Sequence, residues 1–171
     1  MSTIPTKINK YNVYNEAERL LGMGDELALP DFESSSETLS GAGILGEIDD
    51  PTVGYFANQE MDIPFRILDK EAVNMLDMTK AVKLQIRGAQ QTTNTEGDIE
   101  FRSIRVVVRG RCKKFTPGKF KAGSPMDTGV TLSILYILIE LEGKTILELD
   151  KLNEVFKING KDVLKKVKEM C

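Results

Sequence analysis

The stretch Ile104-Arg-Val-Val-Val-Arg-Gly-Arg-Cys-Lys113 alternates apolar and charged residues along most of its length. Alternation with a period of two is typical of a strand that buries one face. The predicted inner face carries Ile104, Val106, Val108 and Cys112, and the outer face carries Arg105, Val107, Arg109, Arg111 and Lys113. A second stretch, Thr131–Leu141, is apolar on both faces. Together the two stretches predict a mainly β protein.

The second stretch raises the question of what covers it. A half-buried antiparallel strand should alternate with polar residues. Here one predicted face holds Leu135, Ile137, Ile139 and Leu141, and the other holds Leu132, Ile134, Tyr136 and Leu138. The core can cover only one of these faces. The other would be covered by the C-terminal helix, through Val163, Leu164 and Val167, or by another subunit.

Weaker signals place the remaining elements. A strand is predicted over Met61–Leu68, with Pro64 at a sheet edge or bulge, because proline cannot donate to a ladder. Asp69 should cap a helix over Lys70–Thr79, whose inner stripe is Ala72, Val73, Met75 and Leu76. The remaining predicted elements are a strand from Val82 to Gly88, a hairpin loop over 90–97 and turns at 142–144 and 159–160. A basic helix is predicted over 162–169.

These elements predict a β-sandwich or partly closed barrel with one internal helix and a short C-terminal helix. The chain has 171 residues, which suits one domain spanning 1–171. A Gly- and Pro-rich segment over about 116–129 is expected to be a long flexible loop. No signal peptide and no membrane span are expected, because the most apolar run is far shorter than the roughly 20 residues that a bilayer requires.

The composition excludes several kinds of chemistry. The chain has no histidine and two cysteines, so His-based triads, His-ligated zinc and Cys₄ sites are absent. The segment Gly41-Ala-Gly-Ile-Leu-Gly46 has the GxGxxG spacing of dinucleotide sites, but polar residues precede it where that motif needs a buried strand. We therefore expect a Gly-rich loop, and neither enzymatic activity nor a cofactor or metal site.

Charge is unevenly distributed along the chain. Residues 16–69 contain 13 acidic and two basic side chains, whereas residues 101–122 contain eight basic and no acidic ones. The two sets could pair across one sheet within the chain, or they could meet between neighbouring copies and set their orientation. Binding of DNA along Arg105–Lys113 is a weaker alternative, because the stretch lacks stacking aromatic residues and the chain is acidic overall.

Several ordered blocks resemble the major tail tube protein of contractile-tailed phages and phage-tail-like bacteriocins. The blocks are Asn12-Val-Tyr-Asn15, Leu27-Ala-Leu-Pro30, Ser40-Gly-Ala-Gly43, Val107-Val-Arg-Gly-Arg111, Leu141-Glu-Gly-Lys-Thr145, Glu148-Leu-Asp-Lys-Leu-Asn153 and Lys157-Ile-Asn-Gly160. They span nearly the whole chain in the family's order. No block is specific alone, but the ordered set is.

The resemblance implies a structural subunit of hexameric rings that stack into the inner tube of a contractile tail or tail-like particle, a conduit for DNA or ions through the target cell envelope. Its implied partners are further copies of itself, the tail sheath, baseplate and tail terminator proteins, and the tape measure protein or DNA in the lumen. The implied location is the virion tail or a phage-tail-like particle, assembled in the bacterial host cytoplasm. The tube protein of a bacterial secretion system is the nearest alternative, and a small ligand-binding β-barrel is a more distant one.

The resemblance also implies contact residues. The extended loop over about 40–54 should contact the adjacent ring through Gly41, Gly43, Ile44, Leu45, Gly46 and Ile48. Because a conduit for DNA should avoid holding phosphates through counterion release, the basic face of Arg105–Lys113 is in turn expected to contact a neighbouring subunit through Arg105, Arg109, Arg111 and Lys113. Charge reversal of Arg109 should then prevent assembly, and Ile44→Asp should leave the monomer folded but block stacking.

Overall fold

The computed structural model describes residues 3–171 and is mainly β, with two short helices. The strands are β1 (Ile4–Asn15), β2 (Glu18–Arg19), β3 (Ser34–Leu39), β4 (Ile48–Phe56), β5 (Glu60–Phe65), β6 (Val82–Thr93), β7 (Ile99–Thr116), β8 (Thr128–Leu141), β9 (Lys144–Asp150), β10 (Val155–Ile158) and β11 (Lys161–Asp162). The helices are α1 (Lys70–Asn74) and α2 (Lys165–Met170). The prediction of a mainly β fold with one internal and one C-terminal helix is confirmed.

Nine of the described strands form one antiparallel sheet in the order β11-β10-β9-β8-β7-β6-β1-β2, with β5 pairing beside β8. The edge of β8 opposite β7 is shared, because β5 pairs with Thr128–Ser133 and β9 pairs with Tyr136–Leu141. The remaining two strands, β3 and β4, form a separate hairpin. As predicted, Pro64 lies in a strand that pairs on one side only with another strand of the sheet.

The core lies on one face of the large sheet. Residues opposite one another in the ladder share a face, and Val106, Ile86 and Val13 form one such row of buried side chains. Cys112 is also buried on this face, as the alternation predicts. The segment before β3 and helix α1 add further side chains to the core, namely Leu20, Ala72 and Met75, with Met23, Leu27 and Phe32 packed against them.

A β-bulge in β8 changes the pattern predicted for its two faces. Arg109 pairs with Tyr136 and Gly110 pairs with Ile134, so Leu135 is the extra residue of the bulge. The bulge shifts the alternation by one residue, and Ile134 and Ile137 are therefore both buried. The prediction that Ile134 and Ile137 lie on opposite faces was wrong.

Helix α1 is shorter than predicted. Asp69 caps it as expected, since its Oδ1 accepts a hydrogen bond from the Lys70 N–H at 2.7 Å. The helix ends at Asn74 rather than Thr79 because the Asp77 carboxylate accepts hydrogen bonds from the backbone N–H and the hydroxyl of Thr79. Such local side-chain bonds compete with the helical ladder. Ala72, Met75 and Leu76 face the core, whereas Val73 is exposed.

Two predicted loops are partly strand. Strand β6 continues to Thr93, and residues 90–93 pair with residues 99–102 of β7. The turn itself is confined to the residues after Thr93, where the Asn94 side chain accepts hydrogen bonds from the N–H groups of Glu96 and Asp98. Likewise, residues 48–54 of the predicted 40–54 loop belong to β4, so only residues 40–47 form the connection.

Helix α2 does not cover the outer face of β8. It begins at Lys165 instead of Asp162, and Leu164 packs beside Gly54 of β4. Val163 and Val167 are exposed by 40% and 51%. Neither described helix has the length and apolar character that crossing a bilayer would require.

Candidate assembly surfaces

The outer face of the large sheet carries cross-strand ion pairs between β7 and β8. Arg105 and Glu140 are directly opposite in the ladder, and the Arg105 Nε donates to Glu140 Oε2 at 2.5 Å. This charge-assisted hydrogen bond lowers the pKa of Glu140 and raises that of Arg105. Arg105 and Glu140 therefore both stay charged and form an ion pair within one chain.

A second pair lies further along the same face. The Arg109 Nη2 is 3.3 Å from Asp150 Oδ2, and its guanidinium lies 5.0 Å from the ring centroid of Tyr136. Burial opposes the charge on Asp150, but hydrogen bonds from Asn153 and Leu152, with the nearby Arg109 charge, lower its pKa overall. We call Arg105, Arg109, Glu140 and Asp150 the ion-pair face.

Tyr136 lies beneath the Arg109 guanidinium on this face. Its hydroxyl donates to Glu148 Oε1 at 3.2 Å. Burial, followed by the negative charge of Glu148, raises the pKa of Tyr136 to about 12. The tyrosine stays neutral at ordinary pH, and its hydroxyl remains a hydrogen-bond donor to Glu148.

The four predicted inter-subunit residues have different environments. Arg105, Arg109 and Lys113 each pair with a carboxylate of the same chain, the last with Glu60 of β5. Arg111 is exposed and forms no ion pair within residues 3–171. Three of the four basic side chains are thus paired within the chain. Two of their three partner carboxylates, Glu140 and Asp150, lie outside the acidic segment 16–69.

The outer edge of β1 is a long unpaired strand edge. Strand β2 pairs with β1 only at Tyr14 and Asn15. From Ile4 to Asn12, the opposite side of β1 pairs with β6, and no strand among residues 3–171 occupies the outer side. A row of unpaired N–H and C=O groups is a template for another strand. We call this segment the open edge.

The β3–β4 hairpin projects from the body of the fold. Its root is fixed by the Phe56 ring, which packs edge-to-face on Phe32 and Phe156 at centroid distances of 5.5 and 5.1 Å. Towards the tip, Leu39 pairs with Ile48, and the Thr38 hydroxyl donates to the Asp49 carboxylate at 2.8 Å. We call residues 34–56 the arm.

The predicted inter-ring residues lie together at the tip of the arm. Gly43 and Gly46 have φ values of +90° and +97°, which glycine adopts without strain. Leu45 is fully exposed and Ile44 is half-buried. The GxGxxG segment thus joins two antiparallel strands and does not lead from a buried strand into a helix, the arrangement that holds pyrophosphate.

Comparison with known proteins decides the family. The family model for phage tail tube protein FII matches residues 5–170. The chain belongs to the phage tail tube family. It is also 25% identical over 167 residues to the tail tube protein of Escherichia phage P2, and the match covers 94% of each chain. The resemblance identified from the ordered sequence blocks is confirmed.

Membership of the phage tail tube family makes the chain a structural component of a phage tail. A tail tube protein assembles into a polymeric tube with other tail components.

Sequence reasoning missed the open edge, since β1 carries lysine, asparagine and proline among its apolar residues. The exposed Ile4 and Ile8, four residues apart, gave only a weak signal of a strand.

Proposed function

We propose that this tail tube subunit forms six-membered rings that stack into the inner tube of a contractile tail or tail-like particle. The tube would conduct DNA or ions through the target cell envelope. It would be assembled in the host cytoplasm on a baseplate, inside a sheath, and closed by a terminator protein, with the tape measure protein or DNA in its lumen. Family membership and the unpaired open edge support this proposal.

The open edge suits lateral joining of subunits. The side of β1 from Ile4 to Asn12 that no strand of residues 3–171 occupies can extend the sheet into that of a neighbour by main-chain hydrogen bonds. Joining the sheets around a closed ring removes the exposed edges that otherwise promote aggregation. A barrel of roughly two dozen strands would leave a wide aqueous lumen.

The arm suits contact between successive rings. It projects beyond the sheet and presents apolar side chains to solvent at Leu39, Leu45 and Ile48. The predicted contact residues Gly41, Gly43, Ile44, Leu45, Gly46 and Ile48 all lie in its distal part. Burying this tip against the adjacent ring would remove apolar surface from water.

A conduit for DNA should not hold phosphates through counterion release. The chain carries a formal net charge of −3. Arg105 and Arg109 are paired with carboxylates of the same chain, which weakens their attraction for a phosphate backbone. The charges of this subunit are therefore compatible with rapid passage of DNA.

Electron microscopy of the purified protein tests the proposal. Wild-type protein should form hollow tubes of stacked six-fold rings. Leu45→Asp should leave the subunit folded but prevent stacking, because it places a charge in a dry contact. Met78→Asp, at another exposed apolar residue distant from the arm in sequence, is the matched control and should form normal tubes. A wild-type protein that stays monomeric at high concentration, or normal stacking by Leu45→Asp, would contradict the proposal.

A further inference from the structure

The two most exposed large apolar side chains among residues 3–171 lie at the tips of two different loops. Leu45, at the tip of the arm, has a relative exposure of 106%, and Phe120 has one of 94%. Phe120 lies in the connection between β7 and β8, residues 117–127, which we call the basic loop. Fully exposed Leu and Phe side chains on two connecting loops are candidates for burial on association.

Hydrogen bonds fix the shape of the basic loop. The Lys119 N–H donates to the Met126 carbonyl at 2.9 Å, and the Ser124 N–H donates to the Lys121 carbonyl at 3.1 Å. Gly118 has a φ of +97°, and a Cβ at this position would overlap the Met126 carbonyl oxygen. Phe120 therefore follows directly after a backbone hydrogen bond that links the two ends of the loop.

The two tips carry opposite charge. The arm contains four acidic residues, Glu37, Glu47, Asp49 and Asp50, and no basic one. The basic loop contains Lys119, Lys121 and one acidic residue, Asp127, and the end of β7 that leads into it adds Arg111, Lys113 and Lys114. The only ion pair formed by Lys119 within residues 3–171 is with Asp127, and both side chains are about 70% exposed, so this pair contributes little.

We propose that the arm tip of one copy docks on the basic loop of a copy in the next ring. Leu45 and Ile48 would pack on the Phe120 ring, while Glu47 and Asp50 would face Lys119 and Lys121. This inference rests on the proposed stacking role of the arm and adds the surface that receives it. Apolar tips provide the burial, and opposite charges fix the register and direction of stacking.

A charge-swap experiment tests the pairing. Lys119→Glu/Lys121→Glu should raise the concentration needed for tube formation by about tenfold or more, and Glu47→Lys/Asp50→Lys should do the same, because each places like charges in contact. Combining all four substitutions should restore tubes. The matched control is Lys165→Glu/Lys166→Glu on α2, which makes the same change in net charge at exposed lysines elsewhere. Equal loss in this control, or no rescue by the combination, would overturn the inference.

Disulfide trapping tests the contact directly. In a Cys171→Ser background, Leu45→Cys/Phe120→Cys should give a ladder of covalent oligomers when tubes are oxidised, since a disulfide requires Cα atoms about 4.4–6.8 Å apart. Leu45→Cys/Met78→Cys is the control and should give none. Wild-type tubes without a ladder from the first variant would overturn the docking contact and leave the proposed function intact. Absence of wild-type tubes would overturn both.

Discussion

The Asp150 carboxylate connects the outer face of the sheet to the turn that follows β9. It accepts hydrogen bonds from the backbone N–H groups of Leu152 and Asn153, from the Asn153 side chain and from Arg109. With a relative exposure of 7%, it has little access to water that could replace these donors. One carboxylate thus fixes a turn and positions a guanidinium over Tyr136.

Asp150→Ala should lower the free energy of unfolding by about 2 kcal/mol at neutral pH, because several partly buried donors lose their acceptor. Asp50→Ala, at an exposed residue of the arm, is the matched control and should change it by less than about 0.5 kcal/mol. Urea denaturation of the disassembled subunit measures both values. Equal values for the two variants would contradict the structural role assigned to Asp150.

Wild type and Asp150→Ala should differ in how the free energy of unfolding depends on pH. The pKa of Asp150 is lower in the folded chain than its ordinary value of 3.8, so its stabilising contribution is complete above that pH. The contribution is lost as the pH falls through the lower, folded value. The stability difference between wild type and Asp150→Ala should therefore shrink on acidification below pH 3.8.

At the scale of elements, the register of β8 and the position of β1 determine which surfaces remain available. The bulge at Leu135 directs both Ile134 and Ile137 into the core. It leaves Tyr136, half-buried, on the outer face opposite Arg109. At the other side of the sheet, β1 ends the ladder because β2 covers only its last two residues. The sheet therefore has a satisfied interior and, along most of β1, an incomplete edge.

Hydrogen–deuterium exchange should detect lateral pairing of the open edge. In the disassembled subunit, outward-directed amides between Ile4 and Asn12 should exchange rapidly, since no strand within residues 3–171 occupies that side. In the tube, these amides should exchange about tenfold or more slowly. The internal control is the set of amides between Val106 and Val108. They lie in β7, which pairs with β6 and β8 on its two sides, and they should be protected in both states. Equal exchange of the open edge before and after assembly would contradict its use in joining subunits.

At the scale of the whole molecule, the basic side chains divide into those that stabilise the subunit and those available to a neighbour. Arg109 is held by Asp150, so its reversal to glutamate would bring two carboxylates together within the chain. Arg111 is exposed and offers a cleaner test of contact between subunits. The choice between intramolecular and intermolecular roles therefore differs from one arginine to the next.

Arg111→Glu should leave the melting temperature of the subunit nearly unchanged but prevent tube formation, because it reverses an exposed charge at a proposed subunit contact. Arg109→Glu should also fail to assemble, and in addition it should unfold at a lower temperature through repulsion with Asp150. Thermal unfolding and electron microscopy separate the two effects. Normal tubes from both variants would reject the placement of the basic face at a subunit contact.

Much of the fold and of the candidate surfaces could be predicted from local pattern. Alternation in β7 predicted both its buried and its charged faces, and Asp69 marked the start of α1. The bulge at Leu135 and the early end of α1 could not be predicted, because each depends on hydrogen bonds that override the local period. The open edge was missed because an edge is defined by which strand is absent beside it.

The sequence by itself determined the β class, the opposed charge segments and the ordered blocks that resemble the tail tube family, since these are properties of residue order and composition. Only the tertiary structure decided which charges are paired. Arg105 pairs with Glu140, 35 residues away in the sequence, and Arg109 pairs with Asp150, 41 residues away. The register of the strands places each arginine beside its partner carboxylate. Register depends on the whole sheet, and so the same register determines which cations, edges and loop tips remain for another copy.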